Sequence, residues 1–141
     1  MSALVSASAA IFAALGLAGA VGVLHHRRAG VLRAATGSAV DAGDARRWGL
    51  SATGPTIVHF TAVWCGPCAA VRRVVEQVCA DLPDVAHVEI DMDADPAAAS
   101  TLSVLSLPTT FIFDADGRQR YRAAGVPKAA ELRAALDPLL A

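Results

Sequence analysis

The sequence predicts an α/β protein, a mixed central sheet flanked by helices, preceded by one N-terminal helix long enough to cross a membrane. Three observations predict it. From residue 55 onward, apolar runs of strand length alternate with runs whose apolar residues recur at helical spacing. The turn Ala115-Asp116-Gly117 separates two strand-like runs, as a hairpin requires. Residues 2–24 contain no charged side chain. A strand, a helix and a second strand make a parallel pair, and the hairpin adds antiparallel strands, so the sheet is mixed.

The organisation follows in chain order: an apolar segment (2–24), a basic tether (25–54) and a folded domain (55–141). At 1.5 Å per residue the first segment reaches roughly 30 Å, the thickness of a hydrocarbon core. It stops at His25-His26-Arg27-Arg28, and no Lys or Arg precedes it. The positive-inside rule then keeps the arginine side, and the domain, in the cytoplasm of a single-pass cell-membrane protein. An alternative is a cleaved signal peptide, because Ala18 and Ala20 resemble an A-x-A site, or a domain facing outward. The tether is rich in Ala, Gly, Arg and Ser, with one short helix expected between Asp41 and Leu50.

Within the domain, "TIVHF" (56–60) is apolar and β-branched, as a buried strand requires. Val71, Val74, Val75, Val78 and Leu82 recur at helical spacing, with Arg72, Arg73, Glu76, Gln77 and Asp81 on the other face, and Pro83 stops that helix. Residues 85–93 predict a second strand, and Asp95 with Pro96 opens a helix through residue 104. The hairpin strands are "TTFIFD" (109–114) and "RQRYRAAG" (118–125), and "PKAAELRAALDPLL" (127–140) closes the chain as an amphipathic helix.

Composition excludes several functions. The chain has 141 residues, 55% of them hydrophobic, and a net charge of −1, which is not a disordered composition. Residues 25–50 hold five arginines against two aspartates, whereas residues 51–141 hold seven basic against eleven acidic side chains. That is no nucleic-acid footprint. Three cysteines cannot staple a scaffold, and one CxxC without a second pair or an HxxxH partner does not complete a four-ligand zinc site. No cofactor and no metal are expected.

The chemistry is concentrated in "WCGPC", residues 64–68. Cys65 follows the strand and is expected to open the helix, where unpaired N–H groups and partial positive charge stabilise a thiolate. The thiolate is the attacking species, so Cys65 is the expected nucleophile. Cys68, one turn in and less exposed, resolves the mixed disulfide. Pro67 suits the first turn, and Gly66 lets a substrate backbone come close. Cys79 is eleven residues past Cys68, about 16 Å along the same helix, too far to join the pair. It is expected to be a small buried hydrophobe.

WCGPC after an apolar strand resembles the active-site signature of the thioredoxin family, and the resemblance covers roughly residues 55–140. "SLPTTFIFDADG" (106–117) is similar to the family's segment with a cis-proline facing the cysteines, about forty residues beyond Cys68. The resemblance implies a thioredoxin-like fold, a cis Pro108, substrate contact through the backbone at Leu107, and Gly125 of "RAAGV" beside the active face. It also implies that Trp64 shields the thiolate. It implies thiol–disulfide exchange: protein-disulfide reduction serving cell redox homeostasis. The partners would be protein disulfides and a reductase or other dithiol donor, with the membrane held through residues 2–24. The anchor looks like that of membrane-attached members, including the TlpA-like group. Departures exist. His59 stands where the family has a buried aspartate and His87 where it has a lysine; Thr61 replaces a tryptophan and Ala69 a lysine. His59 is therefore either a proton relay or a buried histidine satisfied by hydrogen bonds. A non-catalytic interaction or redox-sensing module is the reading these departures would support.

Overall fold

The computed structural model describes residues 2–141. In chain order the elements are α1 (Ser2–Arg28), β1 (Arg33–Ala34), α2 (Ala42–Trp48), β2 (Thr56–Thr61), α3 (Cys68–Asp81), β3 (Ala86–Asp91), α4 (Pro96–Thr101), β4 (Thr109–Phe113), β5 (Gln119–Ala124) and α5 (Ala129–Leu140). The sheet order is β1-β5-β4-β2-β3. β2 and β3 run parallel, and every other pairing is antiparallel. The α/β class, the mixed sheet and the flanking helices match the expectation.

Every residue of β2 and of β4 is buried. These adjacent strands are covered on both faces, which is why their sequences are continuous apolar runs rather than alternating ones. One face carries Val58, Phe60, Phe111 and Phe113 against Trp48 of α2 and Ala98 and Ala99 of α4. The other carries Ile57 and Ile112 against Val71, Val75 and Val78 of α3 and Leu132 and Leu136 of α5. The valine stripe of α3 is thus the face that packs on the sheet. Trp48 is buried among the first group, and its Nε1 finds no partner among the described residues.

Two short helices start on their aspartates. Asp41 accepts from Gly43 N at 2.7 Å ahead of α2, and Asp95 accepts from Ala98 N at 2.9 Å with Pro96 in the first turn of α4. After α4 the chain turns at Ser103, which has φ 51. Arg122 steadies that turn, donating to Leu102 O at 3.1 Å and Ser103 O at 2.7 Å. Its guanidinium also lies 5.0 Å from the centre of the Phe111 ring.

Residues 29–40 correct the reading of 25–54 as a tether. Gly30 N donates to Ala124 O, Ala35 N to Arg120 O, and Val40 N to Gly117 O. Arg33 and Ala34 pair with Arg122 and Tyr121, and Ala39 bridges Arg118. The open edge of β5 needs backbone partners, and this segment supplies them. The short helix expected within Asp41–Leu50 is α2.

Phe111 is fully buried, edge-on to Phe60 at 5.9 Å between centroids. Phe111→Ala removes that packing and the floor beneath Arg122, and is expected to cost about 3–5 kcal/mol. A urea titration would show a lower midpoint with an unchanged slope.

Candidate active site

The site grows out of the end of β2. Thr61 is the last strand residue and Ala62 is still buried; the chain then emerges at Val63 and Trp64. Cys65 N donates to Ala62 O at 3.0 Å and Cys68 N to Cys65 O at 3.3 Å, so residues 62–68 form a tight turn. α3 begins at Cys68, with Pro67 as its N-cap. This corrects two expectations. Cys65 does not open the helix but sits three residues upstream, in the turn, and Cys68 is the first helical residue rather than one turn in. The physical reason is Pro67: its carbonyl accepts from Ala70 N and Val71 N, starting the helix there, while its ring disfavours the helical conformation for the preceding Gly66.

Cys65 and Cys68 are joined as a disulfide with a Cα–Cα distance of 5.5 Å. The two sulfurs differ in access. Cys65 is half-buried, whereas Cys68 is only 2% exposed. Cys68 Sγ lies 3.7 Å from Phe60 O, which can accept a hydrogen bond from the thiol when the pair is reduced. Gly66 and Pro67 are exposed, and the space a Cβ on Gly66 would enter is empty to 4 Å. Trp64 is exposed but not loose: its Nε1 donates to Asp93 Oδ2 at 2.9 Å. Asp93 is held in turn by its backbone N–H, which donates to Asp91 Oδ1 at 2.8 Å. Sequence reading missed Asp93; the cluster "DMDAD" beside the end of β3 was its only signal.

The register of the sheet brings the remaining residues to the same end. Thr109 is opposite Phe60 on one side and Ala124 on the other. Pro108, just before Thr109, is therefore level with Thr61 at the end of β2, with Gly125 beside it. The Leu107–Pro108 peptide is cis, and Gly125 N donates to Pro108 O at 2.9 Å. Gly125 has φ +93, a left-handed value that glycine adopts without strain. Leu107 is half-buried and packs against the Trp48 side of the core.

His59 is fully buried on β2, next to the His87 that the sequence pointed to and to Glu89 and Arg72, which it did not. His87 Nε2 is 3.0 Å from His59 Nδ1, with the rings stacked at 5.0 Å. Glu89, opposite His59 in the parallel register, brings Oε2 to 2.9 Å from His59 Nε2. That approach lacks the alignment of a hydrogen bond, so the contact is electrostatic and His59 Nε2 stays unsatisfied. Glu89 also takes both arms of Arg72 from α3, at 2.7 and 2.6 Å. Burial lowers the His59 pKa to about 4, against an opposing pull from Glu89. Burial also lowers His87, and the hydrogen bond from Arg72 lowers Glu89. At neutral pH the array is thus two neutral imidazoles beside one Arg–carboxylate pair. Cys79, half-buried and free, has its thiol pKa raised by burial, which makes it a poor nucleophile.

An α/β sheet with a CxxC disulfide at the start of a helix and a cis-proline at the same end defines a thiol–disulfide exchange protein. The family model named thioredoxin matches residues 49–138. A thioredoxin of Mycolicibacterium smegmatis is 42% identical over 94 residues, which span 64% of this chain and 83% of that protein. One from Chlamydia trachomatis is 39% identical over 75 residues, 53% of this chain and 72% of its own. Among solved structures, a mutant thioredoxin from Halobacterium salinarum superposes with a TM-score of 0.61 at 29% identity, covering 73% of this chain and 88% of that one. Chloroplastic thioredoxin z gives 0.60 at 28% identity, covering 76% and 96%. The chain belongs to the thioredoxin family, and its activity is that of a thiol–disulfide oxidoreductase.

The depressed His59 pKa has a consequence for stability. Between about pH 6.5 and 4 the unfolded chain binds a proton at this histidine that the folded chain refuses. Stability is therefore full above pH 6.5 and falls as the pH drops through that window, by up to about 3 kcal/mol at its lower end. His59→Asn should flatten this slope in denaturant titrations at pH 7, 6, 5 and 4; an unchanged slope would assign the acid sensitivity elsewhere.

Proposed function

We propose that the protein is a membrane-anchored protein-disulfide reductase whose domain lies on the cytosolic face. The observation that carries the reductase reading is the unequal access of the two sulfurs: Cys65 half-buried at the surface of the turn, Cys68 enclosed behind it. In the dithiol form, the Cys65 thiolate attacks one sulfur of a substrate disulfide and expels the other as a thiolate. Cys68 gives up its proton to the expelled substrate thiolate and attacks Cys65 Sγ. The Cys65–Cys68 bond forms, the mixed disulfide breaks, and the second substrate thiol leaves. The joined pair is the product of that turnover, and a dithiol donor resets it by the reverse exchange.

The other residues take supporting roles. Trp64, pinned by Asp93, screens one side of the disulfide. Gly66 leaves open space above the turn, and Pro67 starts the helix. Leu107 offers its backbone to an extended substrate, and Pro108 and Gly125 shape the wall beside it. His59 is neutral at physiological pH, and with a pKa near 4 it is a weak proton acceptor, so its role is that of a buried histidine hydrogen-bonded to His87 rather than of a relay.

Support for the anchor comes from α1. Its stretch Ala7–Arg28 is long and apolar enough to cross a membrane, and none of it is buried against the domain. A signal sequence has the same length and composition. The arginines at its C-terminal end, Arg27 and Arg28, favour a cytosolic domain.

Cys65→Ser is expected to abolish dithiothreitol-driven reduction of insulin, and Cys68→Ser to accumulate a mixed disulfide visible on non-reducing gels. Wild-type turnover by the Cys65→Ser protein would overturn the mechanism. Extraction of membranes with alkaline carbonate tests the anchor: the full chain should stay in the pellet, at unprocessed mass.

A further inference from the structure

Three features meet at the Pro108 end of the sheet, and exchange chemistry by itself requires none of them. The first is the junction with α1. The helix ends at Arg28, and Gly30 is already buried and bonded, its N–H donating to Ala124 O at 2.5 Å. Gly30 has φ +82, and a Cβ there would come within 2.0 Å of Val126 O. A Cβ on Gly125 would come within 2.9 Å of Gly30 N and 3.2 Å of Ala29 Cβ. Two glycines thus stand back to back, and Gly125 N is bonded to Pro108 O. Gly125 thus stands between Gly30, two residues past the end of α1, and the cis-proline.

The second feature is the distribution of exposed apolar surface. Outside α1, the exposed large hydrophobic side chains among the described residues are Val31, Val63, Trp64 and Leu105. Val31 follows the junction, Val63 and Trp64 precede Cys65, and Leu105 precedes Leu107. Val63 and Leu105 are 94% and 91% exposed, more than any side chain of α1 in the same group. The third feature is a cavity of about 370 Å³ lined by Arg28, Ala29, Arg33, Ala124 and Gly125, between the end of α1 and β5.

We propose that this end of the sheet is a membrane-proximal docking surface, and that its occupant is an extended, disulfide-bearing segment of a membrane-embedded protein. The proposal rests on the anchor reading above. From Leu24, the last apolar residue of α1, to Gly30 is six residues, about 9 Å at helical rise. No flexible linker intervenes, so the substrate wall made by Pro108 and Gly125 is held close to the lipid surface. A soluble disulfide must reach that face from the side, whereas a membrane protein presents one at the right height and at the effective concentration of a shared bilayer. The apolar rim suits such a segment, because charges near the centre of an interface resist desolvation. Lipid itself is not the occupant, since lipid seated on Val63 and Leu105 would cover Cys65.

The test uses the full chain in vesicles of phosphatidylcholine and phosphatidylglycerol. The substrates are one disulfide peptide carried on a transmembrane helix by a spacer of about 3 or about 30 residues, long enough to span tens of ångströms. The wild-type protein is expected to reduce the short-spacer substrate at least about tenfold faster. Inserting about twenty Gly-Ser residues between Arg28 and Ala29 leaves Gly30 docked but frees the domain from the bilayer. That variant should lose the preference while keeping its turnover of soluble insulin. Gly30→Ala, which forces the junction open, should also weaken the preference. Equal wild-type rates on both spacers, or a preference that survives the insertion, overturns the proposal. Suppression of insulin turnover by vesicles free of other protein overturns it too, and assigns the surface to lipid. If carbonate releases the chain from the vesicles, the anchor reading and this proposal fall together; retention with equal rates removes the proposal alone.

Discussion

The site depends on one constraint, the double pairing of β4. Thr109 faces Phe60 on β2 and Ala124 on β5 in a single register. That alignment sets the redox turn, the cis-proline and Gly125 at one end of the sheet, although they are about forty and sixty residues apart in sequence. A slip of one residue would turn Phe111 and Phe113 from one core to the other and exchange them with Ile112. The two cores are filled differently, aromatic on the Trp48 side and aliphatic on the α3 and α5 side, so each resists the other's side chains. Register is therefore enforced by packing, and the geometry of the site is a consequence of it.

The same burial that enforces register makes the polar cluster of β2 and β3 expensive. Coulomb attraction from Glu89 raises the proton affinity of His59, and desolvation lowers it by more. Desolvation wins because the carboxylate is already committed to Arg72 through two short hydrogen bonds. The imidazole stays neutral, and Glu89 keeps its charge through Arg72 rather than through His59. A carboxylate at position 59 would need a counter-charge in the core, whereas a neutral imidazole with one hydrogen bond to His87 does not.

Legibility varied with how strongly one physical signal dominated. β2, α3, β4 and the helix-opening Asp95-Pro96 pair were readable, because burial on both faces, helical periodicity and capping chemistry each leave a local pattern. WCGPC and Pro108 were readable as a resemblance, and the cis bond and the disulfide lie where it pointed. β1 was not: Arg33 and Ala34 are both exposed and only two residues long, so no alternation records them. The start of α3 was placed three residues early because sequence shows a helical stripe but not which carbonyl first accepts a helical bond. Glu89 carries no signal in the sequence; its tie to His59 exists only through the parallel register. The outward aim of Val63 and Leu105 was equally hidden, since apolar residues beside a strand end are ordinarily taken as core.

Gly30 and Gly125 show where local reading ends. Each lies in a stretch already rich in Ala and Gly, so neither stands out by composition. Each adopts a left-handed φ; a side chain on Gly125 would meet the backbone of Gly30, and one on Gly30 would meet the carbonyl of Val126, the residue after Gly125. A flexible tether gives no reason for such a requirement, because a mobile chain tolerates any side chain. Two backbones locked at this distance imply that the position of α1 relative to Pro108 is specified by the fold, and a specified position has value only where direction matters. With α1 in a bilayer, as proposed above, direction would decide which disulfides Cys65 can meet.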